Sequence, residues 1–333
     1  MKQLLSGRDI EAVDSTLSVP VDKEFLNAWE NGPANPESTE SIRQSLTALA
    51  KVFCDFITQG RGKVKVASKE DPRDFVTDVD TGIEMLFRIW LSRFFPNHKI
   101  VGEEGGKDLF SSADVVWYVD PVDGTNNYVS GRNDVALHIG SVYKGKPWVT
   151  LVALPFYNKV FSASISSKLS YQLNDETITA KTNLLKGLEG PLVIASEYRQ
   201  IHKEEEITYH RVLKRLKAKE YRLRSIGVNL MKFLEGGASA FYKPEAKPWD
   251  VIAPLAILDL FASDILDVDL YIARDGGVLT RENAEKVSPF TNKKWVVDWL
   301  NLQNRFDSRM GFIIVTPKTK PELADIIFEE VVC

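Results

Sequence analysis

Apolar positions along the chain change their spacing several times, and each change predicts a different element. From residue 35 to 60, Ile42, Leu46, Leu49, Phe53, Phe56 and Ile57 recur at helical steps. Asn35 followed by Pro36 reads as an N-cap with proline at the first helical position, and Gly60 as the stop. A second stripe, Ile83, Leu86, Phe87, Trp90, Leu91 and Phe94, predicts a helix over 81–95, closed by Pro96. Asp80 is placed to cap it, with Glu84 three residues into the first turn.

Beyond residue 114 the period shortens. Residues 115–119, 136–143, 148–153 and 159–164 are apolar throughout or alternate, which predicts strands, with turns at 144–147 and 157–158. Residues 171–173 and 177–179 suit a small hairpin. Gly187, Gly190 and Pro191 mark 181–191 as the best domain boundary. A strand at 192–195, a charged helix at 203–219 and further strand–helix alternation follow. The apolar run at 251–262 is bounded or interrupted by Asp250, Asp259 and Asp264, and predicts a buried helix, not a membrane span. The division expected is an N-terminal extension (1–34), an α+β domain (35–185) and an α/β domain (186–333).

Composition narrows the class without naming a chemistry. The chain has 333 residues, 44% hydrophobic and 26% charged, so it has volume for a large core. A net charge of −4 gives no electrostatic case for nucleic acid as a partner. Cys54 and Cys333 form no spacing motif, which suits a reducing, cytoplasmic setting, and nothing at the N-terminus reads as a targeting signal. His98, His138, His202 and His210 have no zinc spacing.

The candidate chemistry sits in acidic turns. Gly102-Glu103-Glu104-Gly105 is the first; Asp120-Pro121-Val122-Asp123-Gly124-Thr125 follows a strand; Trp249-Asp250 lies far downstream. Carboxylates without His or Cys suit hard cations, Mg²⁺ above all, which keep several waters and share a substrate phosphate. A strand ending in Asp120 delivers a carboxylate to a sheet rim. Asp123 returns toward the same point across a tight turn, with the Val122 carbonyl between them. The N–H groups opening a helix at Gly124-Thr125-Asn126 would face a phosphate. The pattern points to metal-assisted hydrolysis of a phosphoester. Asp78-Val79-Asp80-Thr81 nearly spells the haloacid-dehalogenase motif, but only Val76-Thr77 precede it, too short for the buried strand that chemistry needs.

Taken in order, Asp74-Phe75-Val76-Thr77-Asp78-Val79-Asp80, Gly102-Glu103-Glu104, Asp120-Pro121-Val122-Asp123-Gly124-Thr125 and Trp249-Asp250 resemble the inositol monophosphatase family. The resemblance implies a layered α/β/α/β/α sandwich with the active site between the halves, a homodimer, and inhibition by lithium. It implies two or three Mg²⁺ ions held by Glu103, Asp120, Val122, Asp123 and Asp250. Asp80 and Thr125 would orient the attacking water, with Glu104 assisting. Gly124, Thr125 and Lys69 would meet the phosphate, and Asn126 suits the inositol type. The substrate expected is inositol 1-phosphate. Fructose 1,6-bisphosphate, histidinol phosphate and adenosine 3′,5′-bisphosphate are the alternatives, and a non-catalytic binding homologue is the reading of another class.

Two departures stand out. Where inositol phosphatases carry a glutamate seven residues before the second-domain aspartate, this chain has Lys243, with Glu245 two residues nearer. A lysine there suggests a more anionic substrate. Some ten residues are also expected to be inserted near 259–275.

Overall fold

The computed structural model describes residues 30–69, 72, 74–105, 114–173, 176–179, 193–196, 210–211, 213–243, 246–262, 269–273, 284–286, 312–315 and 326. The expected boundary at 181–191, Glu245 and most of residues 1–34 lie outside these.

In chain order the elements are α1 (Thr39–Gly60), β1 (Val66–Ser68), β2 (Phe75–Thr77), α2 (Asp78–Phe94), β3 (Lys99–Gly102), β4 (Val115–Asp123), α3 (Thr125–Val129), β5 (Ala136–Tyr143), β6 (Lys146–Leu154), β7 (Lys159–Ser164), β8 (Ser167–Leu173) and β9 (Glu176–Thr179). Then come β10 (Val193–Ser196), β11 (Lys219–Tyr221), α4 (Ile226–Leu234), β12 (Ala240–Lys243), α5 (Pro248–Ala262), β13 (Asp269–Ala273), β14 (Ala284–Lys286) and β15 (Phe312–Val315).

The stripe foreseen for α1 is buried, but the helix starts later than its sequence suggests. Ser38 is the N-cap and its hydroxyl accepts from Ser41 N–H at 3.3 Å. The Asn35 side chain instead accepts from Glu37 N–H at 3.0 Å, so Asn35-Pro36 makes a turn ahead of the helix. For α2 the correction runs the other way. Thr77 is the cap, and Asp80, the third helical residue, returns a bond to Thr77 N–H at 3.0 Å. Glu84 is thereby released for a different task. The charged segment near 203–219 does not run helical to its end, because Lys219 already belongs to β11.

β3 to β9 form a seven-stranded sheet in sequence order, parallel only between β3 and β4. All nine residues of β4 are buried, which explains its continuous apolar run: the sheet is covered on both faces. Val115, Trp117 and Val119 pack on one side with the α1 and α2 stripes. Val116 and Tyr118 pack on the other with α4 and α5. A second, six-stranded sheet has the order β11-β10-β12-β15-β13-β14, parallel among its first three strands and antiparallel beyond. α4 contacts both sheets, so helices form the layer between them. The outermost helical layer of the expected sandwich lies largely outside the described residues.

α5 is apolar on every side and buried accordingly. β5 comes so close to it that a Cβ on Gly140 would stand 2.9 Å from Ala253 Cα. That contact places the start of α5, and Asp250 with it, over the sheet that carries Asp120. α5 continues to Ala262 and β13 follows at Asp269; 263–268 and 274–275, where residues are expected to be inserted, are outside the described set.

Candidate active site

Strand alternation would put Asp120 and Asp123, three residues apart, on opposite faces of β4. The pairing with β5 prevents this. Asp120 lies opposite His138 and Asp123 opposite Ala136, so three steps on one strand match two on the other. This one-residue bulge returns Asp123 to the side of Asp120. Gly124 then turns the chain with φ 94°, a conformation in which glycine is unstrained. Its closeness to the carbonyls of Asp134 (2.9 Å from an added Cβ) and Arg224 (3.1 Å) leaves no room for a side chain.

One carboxylate oxygen each from Glu103, Asp120 and Asp250 lies within 4.8 Å of the others. They come from the turn after β3, the end of β4 and the first turn of α5. Two of the three have raised proton affinity. Asp120 is pushed well above the usual carboxylate range by burial, then by Glu103, Asp123 and Asp250. Asp250 rises to about 6 by burial and Glu103, partly offset by the Lys243 charge and by its bond from Lys247 N–H. Such a set is costly without a cation and suits a hard divalent ion, so the residues present fit Mg²⁺.

Asp123 is placed differently. Its Oδ2 accepts from the Ser225 hydroxyl at 2.7 Å and from Gly227 N–H at 2.6 Å, and its Oδ1 from Ile226 N–H at 3.2 Å. The carboxylate thus sits over the positive end of α4. Burial opposes its charge, but His138, Ser225 and Gly227 outweigh burial and hold it below the usual range.

Thr125 Oγ1 lies 3.1 Å from Asp80 Oδ1 and 3.0 Å from the Val122 carbonyl. Burial raises Asp80 to about 6 against the opposing bonds from Thr77 and Thr125. A carboxylate poised near neutrality and joined to a hydroxyl is equipped to hold a proton. Lys69 Nζ meets Glu103 Oε1 at 2.5 Å and Glu104 Oε1 at 2.6 Å. Burial and Glu103 still lift Glu104 to about 7. Lys69 therefore stands on the carboxylates, not apart in solvent. Asn126 is exposed at the start of α3, and Lys243, half-buried at the end of β12, acts on Asp250 through its charge.

Three residues escaped the sequence reading. Glu84 accepts the N–H groups of Glu104 (2.8 Å) and Gly105 (2.7 Å) and pairs with Arg88 at 2.8 Å. Asn127 donates to the carbonyls of Asp134 (2.7 Å) and Leu223 (2.6 Å), tying the turn after β4 to the chain before α4. His138 lies against Asp123. A histidine in an otherwise apolar strand and an asparagine after Gly-Thr-Asn were the available signals.

Known proteins resemble the chain in sequence and in fold. The inositol monophosphatase family model matches residues 38–285. A protein of Aquifex aeolicus named fructose-1,6-bisphosphatase/inositol-1-monophosphatase is 32% identical over 202 residues, 59% of this chain and 74% of that one. The Nus factor SuhB of Salmonella typhimurium is 29% identical over 190 residues, 56% of this chain and 69% of its own. The fold is that of an IMPase/NADP phosphatase crystallised with Mg²⁺ and phosphate, with TM-score 0.64, 19% identity, and coverage of 87% of this chain and 95% of the other. The chain belongs to the inositol monophosphatase family.

Proposed function

We propose that the protein is a Mg²⁺-dependent phosphatase that hydrolyses a small phosphate monoester, with inositol 1-phosphate the first substrate to test. The observation that carries this reading is the convergence of Glu103, Asp120 and Asp250 oxygens within 4.8 Å, beside the Asp80–Thr125 pair. Glu103, Asp120, Asp250, the Val122 carbonyl and Asp123 would hold two or three ions. When bound, Mg²⁺ supplies Lewis acidity toward the phosphoryl oxygens and lowers the pKa of water.

The chain supplies the rest. The backbone N–H groups at Gly124 and Thr125 face the phosphoryl group, and Lys69 adds positive charge at the same rim. Asp80 Oδ1, bridged by the Thr125 hydroxyl, orients the attacking water and takes its proton; Glu104 assists from the neighbouring turn. Burial of Asp80, Asp120 and Asp123 excludes bulk solvent from this face of the site. Asn126 and Lys243 face the remainder of the substrate. Assembly as a homodimer, a cytoplasmic location and the division into domains at 35–185 and 186–333 belong to the same reading.

The rival is a binding protein on the same fold, whose signature would be lost carboxylates; Asp80, Glu103, Asp120, Asp123 and Asp250 are all in place. Phosphate release should be measured with inositol 1-phosphate, fructose 1,6-bisphosphate, histidinol phosphate and adenosine 3′,5′-bisphosphate, each with Mg²⁺ and with EDTA. Mg²⁺-dependent turnover of one of them is the expected result. No turnover of any of them by folded protein would favour the binding role.

A further inference from the structure

The imidazole of His138 is fully buried, and it has no place in the proposed reaction. It stands on β5 directly opposite Asp120, and its Nε2 lies 3.2 Å from Oδ2 of Asp123. Among the described residues, neither ring nitrogen has an aligned hydrogen-bond partner. A buried polar ring in that condition costs stability and calls for a reason. The neighbouring chain leaves space for it: a Cβ on Gly227 would come within 2.2 Å of His138 Nε2. The start of α4 thus carries glycine where the imidazole lies.

The donors are divided unequally between the two oxygens of Asp123. Oδ2 faces the Ser225 hydroxyl, the Gly227 N–H and the His138 ring, whereas among the described residues Oδ1 takes only the Ile226 N–H. An oxygen that already takes two donors and has the imidazole against it is less open to a cation. An oxygen with one donor is more open.

We propose that His138 is a positioning residue: its Nε2–H, together with Ser225 and Gly227, occupies Oδ2 of Asp123 and leaves Oδ1 as the single oxygen presented to Mg²⁺. This rests on the phosphatase reading above and adds to it a specific group that sets the geometry of one ligand. Groups behind a metal ligand orient it, and their loss typically weakens metal binding roughly 10- to 100-fold.

Two variants separate this role from mere filling of the core. His138→Gln keeps an N–H near the position of Nε2; His138→Leu keeps bulk and loses the donor. Gly227→Ala approaches from the other side by displacing the ring. Mg²⁺ affinity of the whole protein should be measured by calorimetry, with melting temperatures and kcat and KM alongside. His138→Leu and Gly227→Ala are expected to lose about 10- to 100-fold in Mg²⁺ affinity, with kcat at subsaturating Mg²⁺ falling and substrate KM at saturating Mg²⁺ near that of the wild type. His138→Gln should recover most of the affinity. Folded variants that all bind Mg²⁺ as the wild type does overturn the inference alone, as does equal impairment of Gln and Leu. A wild-type protein that binds no Mg²⁺ overturns the phosphatase reading and the inference with it.

Discussion

Oε1 of Glu84 accepts the backbone N–H of Gly105 at 2.7 Å, while Oε2 of the same carboxylate takes the N–H of Glu104 at 2.8 Å. One side chain of α2 therefore fixes the turn that carries Glu103 and Glu104. The same contact explains both glycines of Gly102-Glu103-Glu104-Gly105. A Cβ on Gly102 would lie 2.1 Å from the Glu84 carboxylate, and one on Gly105 2.2 Å from its Oε1.

Glu84→Gln exchanges one acceptor oxygen for a donor facing a backbone N–H. The expected cost is about 1–3 kcal/mol of stability and roughly 10- to 100-fold in Mg²⁺ affinity, because the Glu103 turn loses its anchor. Gly105→Ala should weaken Mg²⁺ in the same way by driving the turn off Glu84. Thermal melts and Mg²⁺ titrations of both variants check this. Unchanged Mg²⁺ affinity in either would show that the turn is held by something else.

The pH dependence follows from the raised carboxylates. Asp80 and Asp250 stand at about 6 instead of 3.8, and Glu104 at about 7 instead of 4.5. Between those values the folded chain holds protons that the unfolded chain has released, so these groups make the metal-free protein less stable as pH rises from about 4 to about 7. Asp123, displaced downward, gains its contribution below that window and keeps it throughout. On the proposed function, Mg²⁺ would bind the deprotonated groups and reverse the loss. The rise in melting temperature on adding Mg²⁺ should be small at about pH 5 and larger at about pH 7.5. An equal or larger rise at the lower pH would contradict these assignments.

Much of the site was legible in the sequence because its pieces are local. A strand that ends in Asp-Pro-Val-Asp-Gly-Thr and an acid at the start of a buried helix each announce a carboxylate at an element's end. Glu103, Asp120 and Asp250 indeed come together. What the sequence hid depends on contacts between distant segments. Glu84 looks like a capping residue until Thr77 takes over the cap. His138 becomes informative only when the bulge in β4 and the start of α4 enclose it. Asn127 clamps carbonyls almost a hundred residues away, at Leu223 and Arg224. The helix starts were misplaced for a related reason, since several capping residues compete locally and the packed turn decides among them.

Lys243 is the residue proposed to separate substrates. Its charge acts on Asp250, which places it electrically at the site. An ammonium there favours a substrate with a second phosphate or a carboxylate by about 1–3 kcal/mol, or roughly ten- to hundredfold. Lys243→Glu should lower kcat/KM for fructose 1,6-bisphosphate relative to inositol 1-phosphate by that factor. An unchanged ratio would remove Lys243 from the substrate pocket.

The central claim is that the carboxylates at the end of β4 hold Mg²⁺ for phosphate ester hydrolysis, and Asp120 tests it most directly. Phosphate release should be followed at saturating Mg²⁺ for wild type and Asp120→Asn, using the best substrate of the panel and with melting curves confirming the fold. The variant is expected to lose roughly three orders of magnitude in kcat, because a buried charge beside both Glu103 and Asp250 is removed while its volume is kept. Near wild-type turnover by folded Asp120→Asn would contradict the account.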